Sequence, residues 1–244
     1  MNPTSNLLSP SSQALDRSRF VMGAGIALAA GSLAFMAVFG YLSARFGYPD
    51  VLHLPAAEVL PRLRAGGATL RAVWFLYGAL PLVFVAAGAA SWRIIAPGAP
   101  AWRGLGGGAA VTAGLAMMAG LLRWPTIEWA LADHWASASP TAREAIAAFF
   151  DASNLFLGNL VGEFIGEFAI AVWFFALALG WRGEGRRVLG TAGLGAAALM
   201  AVAALRNVTS AVDAVAAVNN FVLPVWLIVI GVRFARARRA RSSG

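Results

Sequence analysis

The chain has 244 residues, of which 59% are hydrophobic and only 12% are charged, and its mean hydropathy is +0.71. A soluble domain usually contains about 45–50% apolar and about 25% charged residues, and a protein of this length cannot bury the excess apolar surface in its own interior. These totals exclude a soluble globular protein and predict a multi-pass membrane protein, despite a formal net charge of +8 that could suggest nucleic-acid binding.

Several residue types are rare or missing. All nineteen basic residues are arginines, which together with abundant Ala and Gly indicates the codon bias of a GC-rich bacterial genome. The chain has no cysteine, which excludes disulfides, thiolate metal sites and cysteine nucleophiles. His53 and His134 both lie outside the apolar segments, so we expect no cofactor and no metal ion. An outer metal site built from these histidines and nearby carboxylates is a weaker alternative.

Apolar segments long enough to cross about 30 Å of hydrocarbon as helices define the organisation of the chain. The N-terminal residues 1–15 are polar, lack the features of a cleavable signal peptide and are predicted to form a disordered tail. Residues 16–235 are predicted to form a single all-α domain, and residues 236–244 an Arg-rich tail. The six predicted spans are Phe20–Tyr41, Val73–Ala90, Leu105–Leu122, Leu157–Gly180, Val188–Leu205 and Asn220–Phe234, the last of which could begin at Ala211.

The distribution of arginines predicts the orientation of these spans. If both termini are cytoplasmic, the inner ends of the spans and the tails carry twelve arginines against only Asp16 and Glu184. The outer side then carries seven arginines against seven acids. The basic charge is therefore interpreted as a topology signal of a bacterial inner-membrane protein. The Arg-rich C-terminus is expected to bind anionic lipid headgroups rather than nucleic acid.

Two outer loops are long, and both are predicted to contain short amphipathic helices. Residues 56–64 (AAEVLPRLR) form one such segment, and residues 126–137 (TIEWALADHWAS) form another, with Trp129 and Trp135 expected among the lipid headgroups. A further helix is expected to begin after Ser139 and to continue into the fourth span.

The fourth span contains the most informative pattern. Asn159, Glu163 and Glu167 recur every four residues and are predicted to form one stripe on a helix face. An adjacent stripe on the same helix consists of glycines: Gly158, Gly162 and Gly166. Small residues at this spacing permit close approach of another helix in lipid. Both carboxylates are predicted to lie in the outer third of the bilayer.

Arg123 and Arg206 follow the outer ends of the third and fifth predicted spans, from which both are expected to reach the two carboxylates. Asn159 and Asn220 are candidate neutral hydrogen-bond partners. Ionisable residues inside a membrane are rare and by default mark functional sites. Three interpretations remain open: an ion-pair clasp that fixes helix packing, a site for a ligand, proton or cation, and a catalytic acid–base pair.

Three segments resemble recurring parts of one family. They are FGYPD with the following EVLPRLRAGG (residues 46–50 and 58–67), LRWP (122–125) and GNLVGEFIGEFAIAVWFF (158–175). They resemble uncharacterised bacterial multi-pass inner-membrane proteins that are catalogued as a domain of unknown function, over residues 40–181. The resemblance implies the six-span fold and the importance of the Gly/Glu helix, but no activity. Those proteins carry a His or similar polar residue where this chain has Phe164 or Phe168, which argues against a metal site.

The sequence thus predicts a bundle of six membrane helices with an outward-facing polar pocket that binds or moves a small ligand or ion. The alternative is a structural or accessory subunit, held to a membrane-protein partner or a second copy by the same charged residues and glycines. No catalytic residue is assigned, and an enzymatic role is the least favoured of the three.

Overall fold

The computed structural model describes residues 10–94 and 100–236, and it is all-α in these parts of the chain. Within them, six helices are long and apolar enough to cross a membrane, which confirms the predicted fold class. We number them as spans one to six in chain order. Their bounds are Leu15–Phe46, Gly67–Ile94, Trp102–Trp135, Pro140–Gly183, Arg187–Asn207 and Ser210–Arg236.

The spans are built from α-helices joined by short segments of tighter or wider helix. The α-helices are α1 (Pro10–Phe46), α2 (Ala56–Ala65), α3 (Gly67–Ala79), α4 (Val83–Ile94), α5 (Pro100–Leu122), α6 (Trp129–Trp135), α7 (Pro140–Ser153), α8 (Gly166–Gly183), α9 (Arg187–Ala204) and α10 (Asp213–Arg236). Pro81 lies in a 3₁₀ turn between α3 and α4, and π-helical segments occupy Trp124–Glu128 and Asn154–Ile165. Of the predicted N-terminal tail, residues 1–9 lie outside the described chain, and residues 10–15 are already helical.

The six spans pack as a ring in chain order. Each is in contact with the next, and α10 of the sixth span closes the ring against α1 of the first. A side chain on Gly25 would collide with the backbone of Gly231. Because Gly25 has no side chain, these two helices can approach each other closely. Ring closure therefore depends on small residues that face each other.

Apolar side chains from all six spans fill the centre of the ring. The core includes Leu28, Phe84, Ala110, Met200 and Ile230 around the completely buried Trp173 of the fourth span. The Trp173 indole Nε1 donates a hydrogen bond to Ser91 Oγ at 2.8 Å. This contact gives the polar atoms of both side chains a partner inside the membrane domain. The middle of the bundle is thus a packed core.

A second apolar core lies at one end of the bundle. We call this end the cap end; the other, where both termini of the described chain lie, is the terminal end. The third and fourth spans are 34 and 44 residues long, whereas about 20 residues cross the hydrocarbon, so both helices extend beyond it. Their extensions pack with α2 and the neighbouring ends of the first two spans around the buried Trp74 and Trp124.

Arginines tie the two outer segments together in this cap. Arg64 Nη1 donates to the Asp133 carbonyl at 3.0 Å, and Arg71 Nε donates to the Pro125 carbonyl at 3.0 Å. The predicted short helices exist, but Trp129 is 8% exposed within the cap core. Its predicted position among lipid headgroups is therefore wrong: burial against the first outer segment, which local sequence does not reveal, decides where it lies.

Candidate functional site

The predicted polar stripe begins in the π-helical part of the fourth span. Asn159 and Glu163 lie in the segment Asn154–Ile165, and Glu167 lies in the first turn of α8. A π-helix bonds residue i to i+5 rather than i+4, so the α-helical spacing does not hold throughout the segment. The side chains of Glu163 and Glu167 are 30% and 11% exposed, whereas Asn159 is exposed on the surface of the helix and is not part of the cluster.

Arg206, just after α9, binds both carboxylates. Its Nη1 and Nη2 donate to Glu167 Oε2 and Oε1 at 2.8 and 2.6 Å, a bidentate ion pair. The same Nη2 also donates to Glu163 Oε2 at 3.2 Å. Charge-assisted, bidentate pairs of this kind are among the strongest polar contacts in proteins. We call Glu163, Glu167 and Arg206 the triad; it joins the fourth span to the fifth at the cap end.

Arg123 is not part of the triad. It is 5% exposed, and its Nε and Nη2 donate to Asn154 Oδ1 at 3.2 and 2.8 Å. Its Nη1 donates to the Gly120 carbonyl at 2.6 Å, and its Nε lies 3.7 Å from Glu128 Oε1. Arg123 therefore does not make the expected contact with the glutamate pair. Its guanidinium instead donates to Asn154 and lies next to Glu128.

Glu128 and Ser153 complete this second polar cluster. Glu128 is fully buried and accepts a hydrogen bond from Ser153 Oγ at 2.8 Å on Oε1, while Oε2 has no donor among the described residues. The cluster pairs one guanidinium with one carboxylate, so its formal charges cancel. The triad pairs one guanidinium with two carboxylates. When both carboxylates are ionised, it carries one uncompensated negative charge.

The glycine stripe faces the third span and Arg123. A Cβ on Gly162 would lie 3.0 Å from the Gly120 Cα, and one on Gly166 would lie 2.8 Å from Met117 Cγ. A Cβ on Gly158 would lie 2.8 Å from Arg123 Nη2. The stripe therefore makes room both for the third span and for the guanidinium of the second cluster.

The predicted amide Asn220 is exposed, whereas its neighbour Asn219 is 2% exposed and donates from Nδ2 to Met200 Sδ at 3.0 Å. Adjacent residues on a helix point in directions about 100° apart, so the rotation of the sixth span, which the sequence does not reveal, decides which of the two is buried. Neither amide hydrogen-bonds to the triad.

Tyr48, for which the sequence predicts no role, is close enough to the charged groups of both clusters to interact with them electrostatically. Burial raises the pKa of its phenol to about 12; the nearby Glu163 acts in the same direction, and Arg123 and Arg206 oppose it. Its ring packs edge-on against Trp74, with centroids 5.3 Å apart. The phenol is therefore neutral at physiological pH and within electrostatic range of both clusters. Its only sequence signal is its position directly after the first span.

The alternative metal site finds no support in the described residues. His53 and His134 are both exposed, and within residues 10–94 and 100–236 no three metal-ligating side chains are grouped.

Six apolar spans around a packed apolar core define this chain as a polytopic helical membrane protein. Comparison of the chain with family models, curated proteins and solved structures gives no match.

Proposed function

We propose that this protein is a bacterial inner-membrane protein with both termini in the cytoplasm, and that the triad is an outward-facing site for a proton or a small cation. The pairing of arginines supports this orientation. At the cap end, Arg62, Arg64 and Arg206 contact acids of the same end. The excess of arginine lies at the terminal end, as expected for the cytoplasmic side.

The stoichiometry of the triad supports a cationic ligand. Arg206 is already shared between Glu163 and Glu167, and Arg123 belongs to the other cluster. Glu163 makes the longer contact and is the more exposed of the two acids. A proton or a cation bound at the triad would remove its leftover charge.

A structural clasp is the second candidate. The bidentate contact between Arg206 and Glu167 is well aligned, and it joins two consecutive spans. In an accessory subunit, this contact would hold the bundle together and the charge on Glu163 would have no ligand. The two candidates differ in whether Glu163 responds to ions.

Melting curves in mild detergent separate them. The wild type, Glu163→Gln and Glu167→Gln are compared at pH 5 to 8, in sodium chloride and in choline chloride of equal concentration. For an ion site, the wild type melts at a higher temperature at pH 5 than at pH 8, or in sodium than in choline. Glu163→Gln melts at a higher temperature than the wild type at pH 8, and its melting temperature does not depend on pH or on the cation.

Glu144→Gln serves as the control, because Glu144 is an exposed acid on α7. It should keep the dependence of the wild type. A wild type that responds neither to pH nor to the cation, with both triad variants less stable, would refute the ion site and support the clasp.

A further inference from the structure

A cluster of arginines at the terminal end surrounds a single acid. Glu184, in the turn between the fourth and fifth spans, is contacted through its Oε2 by Arg186 Nε at 3.2 Å and by Arg233 Nη2 of the sixth span at 3.7 Å. Two guanidinium groups from different segments of the chain thus converge on one oxygen atom. One carboxylate cannot neutralise both of them.

The surroundings of this cluster are also basic. Arg182 and Arg187 flank the turn and are exposed, and Arg182 Nη1 donates to Thr191 Oγ1 rather than to an acid. The side chain of Arg233 is 21% exposed, and its Nε is buried without an acceptor among the described residues. The cluster therefore retains positive charge and unused donors.

Exposed aromatic residues at this end of the bundle are typical of a membrane interface. Trp92 and Trp102, which flank the connection between the second and third spans, are 54% and 38% exposed. Tryptophan is enriched at membrane interfaces because its ring is apolar and its N–H is polar. Val188, beside Arg187, is 87% exposed, so an apolar side chain accompanies the arginines on the surface.

We propose that Arg186 and Arg233 bind the phosphodiester of an anionic phospholipid, with its acyl chains along the fifth span. Guanidinium groups match the geometry of phosphate oxygens, and basic pockets between membrane helices on the cytoplasmic side bind lipid headgroups. A phosphodiester offers two anionic acceptor oxygens to the two arginines that now share one carboxylate oxygen. Glu184 opposes binding, because it competes for the same guanidinium groups.

This assignment makes opposite predictions for neighbouring residues. Arg233→Gln and Arg186→Gln should each weaken phosphatidylglycerol binding about fivefold, since one charge near the membrane surface contributes about 1 kcal/mol. Glu184→Gln should strengthen binding by a similar factor. Arg45→Gln removes one exposed arginine at the cap end and should leave binding unchanged.

The full-length protein is tested in nanodiscs of phosphatidylcholine with increasing fractions of phosphatidylglycerol. Lipid retained after transfer to detergent is counted by native mass spectrometry, and melting temperatures are recorded in the same discs. Phosphatidylglycerol should raise the melting temperature of the wild type. The rise should be smaller in the two arginine variants of the cluster, larger in Glu184→Gln and unchanged in the control.

Two results would overturn the proposal. One is equal retention of phosphatidylglycerol by the wild type, Arg186→Gln, Arg233→Gln and Glu184→Gln. The other is an equal rise in melting temperature when glycerol phosphate is added to pure phosphatidylcholine discs, which would make the ligand a soluble anion. Because Arg186 is exposed, its variant tests the proposal even if Arg233→Gln fails to fold.

Discussion

Replacing Arg206 by Gln should destabilise the protein by about 3 kcal/mol. The substitution removes the guanidinium that donates to Glu167 at 2.8 and 2.6 Å and to Glu163 at 3.2 Å. Two carboxylates are then left one helical turn apart without a cation. The loss combines missing hydrogen bonds with repulsion between like charges.

The burial of the three side chains sets the size of this effect. Removing one partner of a buried ion pair costs about 3–5 kcal/mol, whereas an exposed pair contributes about 0–1 kcal/mol. Arg206 is 23% exposed and Glu167 is 11% exposed, so the pair lies near the buried limit but is partly screened. The lower end of the buried range is therefore expected.

Unfolding in mixed micelles with increasing dodecyl sulfate, followed by tryptophan fluorescence, measures the loss. Arg62→Gln is the matched control, because Arg62 pairs with Glu58 at 3.3 Å but both side chains are about half exposed. That variant should lose about 1 kcal/mol or less. In a double-mutant cycle, Arg206→Gln combined with Glu167→Gln should cost less than the sum of the two single changes.

Equal losses for Arg206→Gln and Arg62→Gln would refute the argument. Strict additivity in the double-mutant cycle would also refute it, since the two side chains would then not interact.

Two further predictions test Tyr48 and the glycine contact. The pKa of Tyr48, at about 12, lies above the usual value of about 10 for tyrosine. Its neutral form therefore contributes about 3 kcal/mol of stability below pH 10, and this contribution is lost as the pH rises through 12. Because the chain has no Lys or Cys, melting from pH 9 to 12 should show this loss, and Tyr48→Phe should show less of it; identical curves would contradict the assignment. Gly120→Ala places a Cβ 2.7 Å from the Gly162 Cα and should cost about 1–3 kcal/mol in micelle unfolding. Gly195→Ala, which meets nothing within 4 Å, should be neutral or slightly stabilising, and equal losses in the two variants would contradict a close contact between the third and fourth spans.

The candidate site shows where sequence patterns are sufficient and where they fail. Glu163 and Glu167 are predicted from their four-residue spacing within the fourth span, and Arg206 from its position at the outer end of the fifth; the structure brings all three together. Arg123 is predicted from the outer end of the third span but binds Asn154. Spacing limits which charges lie at one depth, but it does not say which partner is nearer once the cap has packed. The role of the triad as a ligand site stays a prediction.

The number of spans and the class of the protein follow from local sequence patterns. Each membrane helix must satisfy its own backbone hydrogen bonds and be apolar along its length, and both are local properties of about 20 residues. The closed ring, the cap core and the π-helical segment within the fourth span required the tertiary structure, because they depend on contacts between distant segments. Helix rotation is decided in the same way: packing buries Asn219 and leaves Asn220 exposed, although the two are adjacent in sequence.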